Sequence, residues 1–182
     1  MRMENIALFG GSFDPPHIGH EAIVKALLDF KDIDKVVVMP TYLNPFKSKS
    51  HASASLRLKW LKEIFSSLKN VLVDDFEVQQ KQKVPTVETV QYLLKKYKKI
   101  YVVLGADNLA SLPRWDRYDA LKNMVTFIVA HRDAIEIPKN FLDLKIDVDI
   151  SSTQLRKHLE LSKLPPICAK EIAQYYKEHN AQ

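Results

Sequence analysis

Apolar positions along the chain follow two rhythms. Short, mainly apolar runs recur at 6–9, 36–39, 71–73, 100–104 and 125–130, each of a length that suits a strand buried on both faces. Between them the repeat is helical. Residues 21–28 are rich in Ala, Ile and Leu. Leu56, Trp60, Leu61, Ile64, Phe65 and Leu68 mark a second helix, with Ser53 or Ser55 placed to cap it. Pro85-Thr86 opens a third, carrying Val87, Val90, Leu94 and Tyr97 on one face, and a fourth is expected around 118–122. Leu144, Ile146, Val148 and Ile150 alternate with Lys145, Asp147 and Asp149, which predicts a half-exposed edge strand. Helices over 152–161 and after Pro165-Pro166 finish the chain. Of the polar stretches, 41–50 reads as a loop, Asp74-Asp75-Phe76-Glu77 as a solvated strand end, and 79–84 as a mobile tract.

Strands and helices alternate from end to end. That predicts a doubly wound, Rossmann-like α/β fold with a mostly parallel sheet, a single domain over 1–182 with a small helical part from about residue 151. In the common 3-2-1-4-5 order, the first and fourth strands are neighbours at the switch point, and ligands bind beyond their carboxyl ends. The loops after those two strands hold all four glycines: Gly10, Gly11 and Gly19 in one, Gly105 in the other.

Composition narrows the picture without deciding it. The 182 residues suffice for one domain with a real core, and no apolar run is long enough to span a bilayer. The first residues lead straight into a strand, so no signal peptide is expected. The single cysteine, Cys168, can make no internal disulfide and reads as a small buried apolar residue; a cytoplasmic setting is expected. A net charge of +5 suits an anionic partner, although Lys95, Lys96, Lys98 and Lys99 at a helix end serve the helix dipole and solubility.

The chemistry concentrates in Gly10-Gly11-Ser12-Phe13-Asp14-Pro15-Pro16-His17-Ile18-Gly19-His20. A strand ending on Gly-Gly and re-entering a helix aims backbone N–H groups and a positive helix end at one point, a place for phosphate. His17 and His20 set a donor or cation beside it. The plain alternative is one capping and one core histidine. Ile150-Ser151-Ser152-Thr153-Gln154-Leu155-Arg156 forms a second candidate: Ser151 with Gln154 fits a capping box, while three hydroxyls, a helix start and Arg156 together could hold a pyrophosphate.

The first stretch carries the Gly-[Ser/Thr]-Phe-Asp-Pro-x-His-x-Gly-His signature of the nucleotidyltransferase superfamily, and the second resembles that superfamily's Ile-Ser-Ser-Thr-x-x-Arg. The segment from Leu104 to Trp115, Leu-Gly-Ala-Asp-Asn-Leu-Ala-Ser-Leu-Pro-Arg-Trp, resembles the Gly-Ala-Asp-x-Leu-x-x-Leu-Pro-x-Trp of bacterial nicotinate mononucleotide adenylyltransferases. Thr86-Val87-Glu88-Thr89 is similar to their Thr-Ile-Asp-Thr, and Val129-Ala130-His131-Arg132 to their Arg-bearing strand end. The resemblance runs from Ile6 to about His179. Two departures stand out. Asn44-Pro45-Phe46-Lys47 replaces Pro-Pro-His-[Lys/Arg], and Val84-Pro85 replaces the usual Ser-Tyr.

This resemblance implies an adenylyltransferase that joins ATP and nicotinate mononucleotide into deamido-NAD and pyrophosphate by direct in-line attack. It implies catalytic roles for His17, His20 and Arg156. It implies an ATP site from Gly10, Gly11, Ser12, Phe13, His17, Gly19, His20, Gly105, Asp107, Ser151, Ser152, Thr153 and Arg156. The mononucleotide would meet Asn44, Lys47, Thr86, Asp107, Leu112, Trp115 and Arg132, with Trp115 stacked on the pyridine and backbone near Trp115 and Thr86 receiving the ring carboxylate. Mg²⁺ is expected on the ATP phosphates rather than in a protein cage. Sibling transferases acting on phosphopantetheine or nicotinamide mononucleotide are the nearest alternatives. An RNA-binding role would need exposed aromatic platforms, yet most aromatics here fall on core faces. A catalytic metal on His17 and His20 would lack a third ligand. Neither nucleic acid nor membrane is an expected partner.

Overall fold

The computed structural model describes residues 3–133 and 135–179. Six strands form one sheet in the order β3-β2-β1-β4-β5-β6, every neighbouring pair parallel. They are β1 (Asn5–Gly11), β2 (Lys35–Pro40), β3 (Val71–Val73), β4 (Lys99–Gly105), β5 (Thr126–His131) and β6 (Leu142–Lys145). The helices are α1 (Ile18–Leu28), α2 (Ala54–Phe65), α3 (Phe76–Gln79), α4 (Thr86–Leu94), α5 (Tyr118–Met124), α6 (Ser152–Lys157) and α7 (Ala169–His179).

The period of two along β1 sorts its side chains between two layers. Ala7 and Phe9 face α1, α2 and α7, where they meet Val24, Leu27, Trp60, Leu61 and Tyr176. Ile6 and Leu8 face the other way, onto Val87, Val90 and Leu93 of α4 and Leu121 of α5. A sheet covered on both faces explains why its central strands read as continuous apolar runs. Register sets the site: Phe9 pairs with Val103 and Gly10 with Met39, so β1, β2 and β4 end together.

Several boundaries differ from the sequence pattern. The last strand is shorter than the alternation suggests. Beyond Lys145 the chain stays extended, with Ile146 N–H donating to the His131 carbonyl at 2.8 Å and Ile146 still buried. The helix expected over 152–161 stops at Lys157, because His158 turns to φ −135°, ψ 90°; a 3₁₀ turn at Leu161–Lys163 follows. On α4 the buried face is Val87, Val90 and Leu93, with Leu94 only partly covered. Ser53 is the cap of α2, accepting from Leu56 N–H at 3.2 Å.

The acidic stretch is the largest revision. Asp74 caps a short turn by accepting the Phe76 N–H at 2.8 Å, and α3 follows where a solvated strand end was expected. Glu77 is buried within it. The polar tract 79–84 is anchored at both ends, by Gln79 in α3 and by Val84 in the core. Cys168 is buried as expected, and burial pushes its thiol up to about 12.

Candidate active site

The carboxyl ends of β1, β2, β4 and β5 open onto a cleft of about 610 Å³, within the ordinary range for small-molecule sites. The turn after β1 is held by a buried polar knot. Phe13 adopts φ 48°, the left-handed region that a bulky residue enters only under constraint. Its ring is buried edge-on against Phe9, at 5.3 Å, and His20, at 4.8 Å.

The constraint comes from Asp14 and Arg57. Asp14 is 2 % exposed and accepts the His51 N–H at 2.8 Å, the Ala52 N–H at 3.0 Å and the Tyr176 hydroxyl. Burial alone would raise its pKa; Tyr176, the two amides and the Arg57 charge outweigh burial and hold it below the usual value. Arg57 is fully buried and spends its guanidinium on backbone. It donates to Ala52 O at 3.1 Å, Ser12 O at 2.6 Å, Thr41 O at 2.9 Å and Tyr42 O at 3.0 Å. One side chain therefore ties the turns after β1 and β2 to the start of α2. Sequence reasoning missed Arg57 and Tyr176. A signal existed for Arg57: positions 57, 60, 61 and 64 share one helix face, so an arginine there is buried and needs partners.

His17 and His20 lie at the start of α1 with rings stacked, centroids 3.6 Å apart. Burial, with a smaller push from the Arg132 charge, lowers His17 to about 4. Burial, then the proximity of His17, holds His20 well below its usual value. Both rings are neutral at pH 7, so they are donors and not cations. His20 Nδ1 accepts the His17 N–H at 3.1 Å, which assigns the ring proton to Nε2. Gly19 permits this stack, since a Cβ there would lie 2.9 Å from His17 Nδ1.

The second candidate stretch packs on the first. Ser151 and Gln154 form the expected capping box, with reciprocal bonds of 3.2 and 3.1 Å. Ser152 Oγ donates to the Pro15 carbonyl at 2.8 Å. Arg156 donates to the Asp14 carbonyl and, at 3.2 Å, to Thr153 Oγ1. Lys47 completes a cationic corner: burial, then the Arg156 charge, lowers its pKa against the pull of Asp14.

The far end of the cleft is built differently. Gly105 leads into a 3₁₀ stretch, Ala106–Arg114. A Cβ on Gly105 would sit 2.6 Å from Asp107 Oδ1, which accepts from Asn108 at 3.3 Å. Trp115 is half-buried, packs on the α4–α5 layer, and keeps its indole Nε1 buried with no partner among the described residues. Thr86 starts α4 and lines the same cleft. Asn44 spends its side-chain oxygen on the Phe46 N–H at 2.9 Å, an Asx turn that shapes the loop. Arg132 pairs with Asp149.

Seventeen of the anticipated residues line this one cleft: Gly10, Gly11, Ser12, Phe13, His17, Gly19, His20, Asn44, Lys47, Thr86, Gly105, Asp107, Trp115, Arg132, Ser151, Ser152 and Thr153. Two do not. Leu112 is 2 % exposed in the apolar layer, and Arg156 reaches the site through Asp14 and Thr153. Glu77, not anticipated, is on the wall.

The cytidylyltransferase-like family model matches residues 8–158. The probable nicotinate-nucleotide adenylyltransferase of Sulfurimonas denitrificans is 62% identical over 180 residues, 99% of this chain and 99% of that protein. Its namesake in Nitratiruptor is 48% identical, covering 94% of this chain and 98% of that one. Among solved structures, the nicotinic acid mononucleotide adenylyltransferase of Plasmodium falciparum complexed with NaAD superposes with a TM-score of 0.79 at 22% identity, covering 98% of this chain and 100% of that one. That last likeness speaks for the fold.

Proposed function

We infer, from a chain that belongs to the cytidylyltransferase-like family and within it to the nicotinate-nucleotide adenylyltransferases, that it transfers the adenylyl group of ATP to nicotinate mononucleotide. A phosphate oxygen of the mononucleotide attacks the α-phosphorus of ATP, the bond to the β-phosphate breaks, and deamido-NAD and pyrophosphate result. No residue becomes covalently attached. The protein's contribution is positioning and charge stabilisation.

The observation that carries the residue roles is the neutral, stacked His17–His20 pair at the β1–β4 switch point, in the same cleft as Thr86 and Trp115. A neutral ring with its proton on Nε2 can donate to an α-phosphate oxygen at no cost in ionising a buried group. Its bond strengthens as charge develops there. Gly10, Gly11, Ser12 and Phe13 would pass along the nucleotide, and Gly105 and Asp107 would meet its ribose side. Ser151, Ser152 and Thr153, with Lys47 and Arg156 behind them, would receive the departing pyrophosphate. Trp115 would cover the pyridine ring, with Thr86, Asn44 and Arg132 around the mononucleotide.

Mg²⁺ would travel on the ATP phosphates, whose oxygens suit a hard cation that keeps several of its waters. When bound it neutralises part of the triphosphate charge. Among the described residues no helix is long and apolar enough to cross a membrane; a cytoplasmic setting fits the substrates.

The test is to mix protein, ATP and Mg²⁺ with either mononucleotide and follow pyrophosphate and the dinucleotide product. Release with nicotinate mononucleotide is expected. Release only with nicotinamide mononucleotide, or with neither mononucleotide, would overturn the acceptor assignment.

A further inference from the structure

One carboxyl in the cleft wall has no part in the chemistry above. Glu77 lines the same cleft as Val84, Thr86 and Trp115 and is 5 % exposed. Its Oε1 accepts the Thr89 hydroxyl of α4 at 2.6 Å. Its Oε2 is buried with no hydrogen-bond partner among the described residues. A carboxylate in that position has one neutral donor and no cation, whereas the acid form sheds the charge that burial penalises. Burial accordingly moves Glu77 up to about 7, with the Thr89 hydroxyl opposing.

The charged groups on the surrounding elements are engaged elsewhere. Asp75 of α3 accepts from Gln79 at 3.1 Å, and Lys35 of β2 binds Glu4 at 2.8 Å. Arg57 of α2 is spent on four carbonyls. Lys59 of α2 binds Glu171 at 2.8 Å and faces Glu63 at 3.7 Å. Glu88 of α4 pairs with Arg117 at 3.0 Å, and Lys83 donates to the Pro45 carbonyl at 3.1 Å. Lys47 and Asp116 share the cleft, and Asp116 accepts from Arg117. None of these contributes to the shift, whose causes are burial and Thr89.

We propose that Glu77 is a specificity-determining residue of the acceptor end: it carries a proton on Oε2, and its lack of charge is what lets an anionic ring substituent settle at the N-terminus of α4 beside Trp115. The positive end of α4 can serve one negative group well. With Glu77 neutral, that end is free for a ring carboxylate. With Glu77 ionised, a second negative charge competes for it, and the carboxylate is repelled. A neutral carboxamide is indifferent to the change. The inference rests on the acceptor reading given above.

The experiment measures kcat and KM for nicotinate and nicotinamide mononucleotides, with ATP and Mg²⁺, from pH 6.5 to 8.5, in the parent and in Glu77→Gln. Both acceptors carry the same phosphate, so its titration cancels in their ratio. In the parent, the ratio of kcat/KM should fall at least about fivefold across this range, through KM for the nicotinate form, because the protonated fraction drops roughly tenfold per unit above the midpoint. Glu77→Gln keeps a neutral group of the same shape, so it should keep the preference and flatten the profile. A ratio independent of pH in the parent, or the parent's profile persisting in Glu77→Gln, overturns the proposal. If Glu77→Gln fails to fold, the parent profile alone decides. If neither mononucleotide supports pyrophosphate release, the acceptor reading fails and takes this one with it. If both do and the ratio stays fixed, only the role of Glu77 falls.

Discussion

The two ends of the cleft are held by different physics. At the phosphate end, Asp14, Arg57 and Tyr176 form a buried network whose partners are mostly backbone atoms, and the two motif-bearing stretches are bonded directly to each other through Ser152 and Arg156. At the acceptor end, a 3₁₀ stretch, an Asx turn and an exposed Arg117–Glu88 pair do the holding. On the roles proposed above, the first end would fix donors whose geometry any adenylyl transfer needs. The second is built from contacts that cost little to change, which suits a surface that must distinguish one acceptor from another.

The sharpest way to break this contrast is Arg57→Met. It removes a buried charge from beside Asp14 and leaves four carbonyls without a donor. A loss of about 3–5 kcal/mol is expected, read by denaturant or thermal unfolding. A loss below about 1 kcal/mol would show the knot to be ornamental.

The two ends should also titrate in opposite senses. His17 has a folded pKa of about 4 against 6.5, so the unfolded chain binds more protons between those values. Stability from this group is full above pH 6.5 and is lost as pH falls toward 4, by about 3 kcal/mol. Glu77 has a folded pKa of about 7 against 4.5, so the folded chain binds more protons in that window. Its contribution is full below pH 4.5 and is lost as pH rises toward 7, by a similar amount of about 3 kcal/mol. In the parent the two slopes offset each other. Glu77→Gln should unmask a steeper gain of stability from pH 4.5 to 6.5, and His17→Asn the reverse. Parallel shifts in both variants would contradict the assignment of opposite protonation behaviour.

His20→Ala tests the chemical side of the phosphate end. Losing one charge-stabilising donor should lower kcat by roughly 100-fold or more while the fold persists. Unchanged turnover would return the ring to a packing role. The smallest effect belongs to Arg117→Ala at the acceptor end. Its pair with Glu88 is about half exposed on both sides, so solvent screening leaves it little to contribute. A large loss there would erase the distinction between the two ends.

The strands, their order and the crevice were legible because each rests on local pattern: apolar runs, helical spacing and glycine placement. Gly19 was legible too, although its reason is the His17 ring and not a turn. What stayed hidden depends on partners far along the chain. Tyr176 meets Asp14 across 162 positions. Glu77 looked solvated because Asp74 and Asp75 beside it are acidic, and only packing against Thr89 of α4 buries it. Arg57 could have been found from its place on the apolar stripe of α2, but its four acceptors are loop carbonyls, which no periodicity marks. Leu112 shows the opposite case: its place in a motif does not reveal that its side chain lies in the core.

The bond from Tyr176 to Asp14 also bears on synthesis. Chains leave the ribosome amino end first, and domains tend to fold in that order. Here the turn after β1 emerges early, yet the hydroxyl that Asp14 needs arrives 162 positions later, on α7. A nascent chain halted before α7 therefore carries an acidic side chain whose burial is not yet compensated, in the very turn that would receive the nucleotide. The turn after β1 and α7 are therefore finished together, however far apart in time they are made.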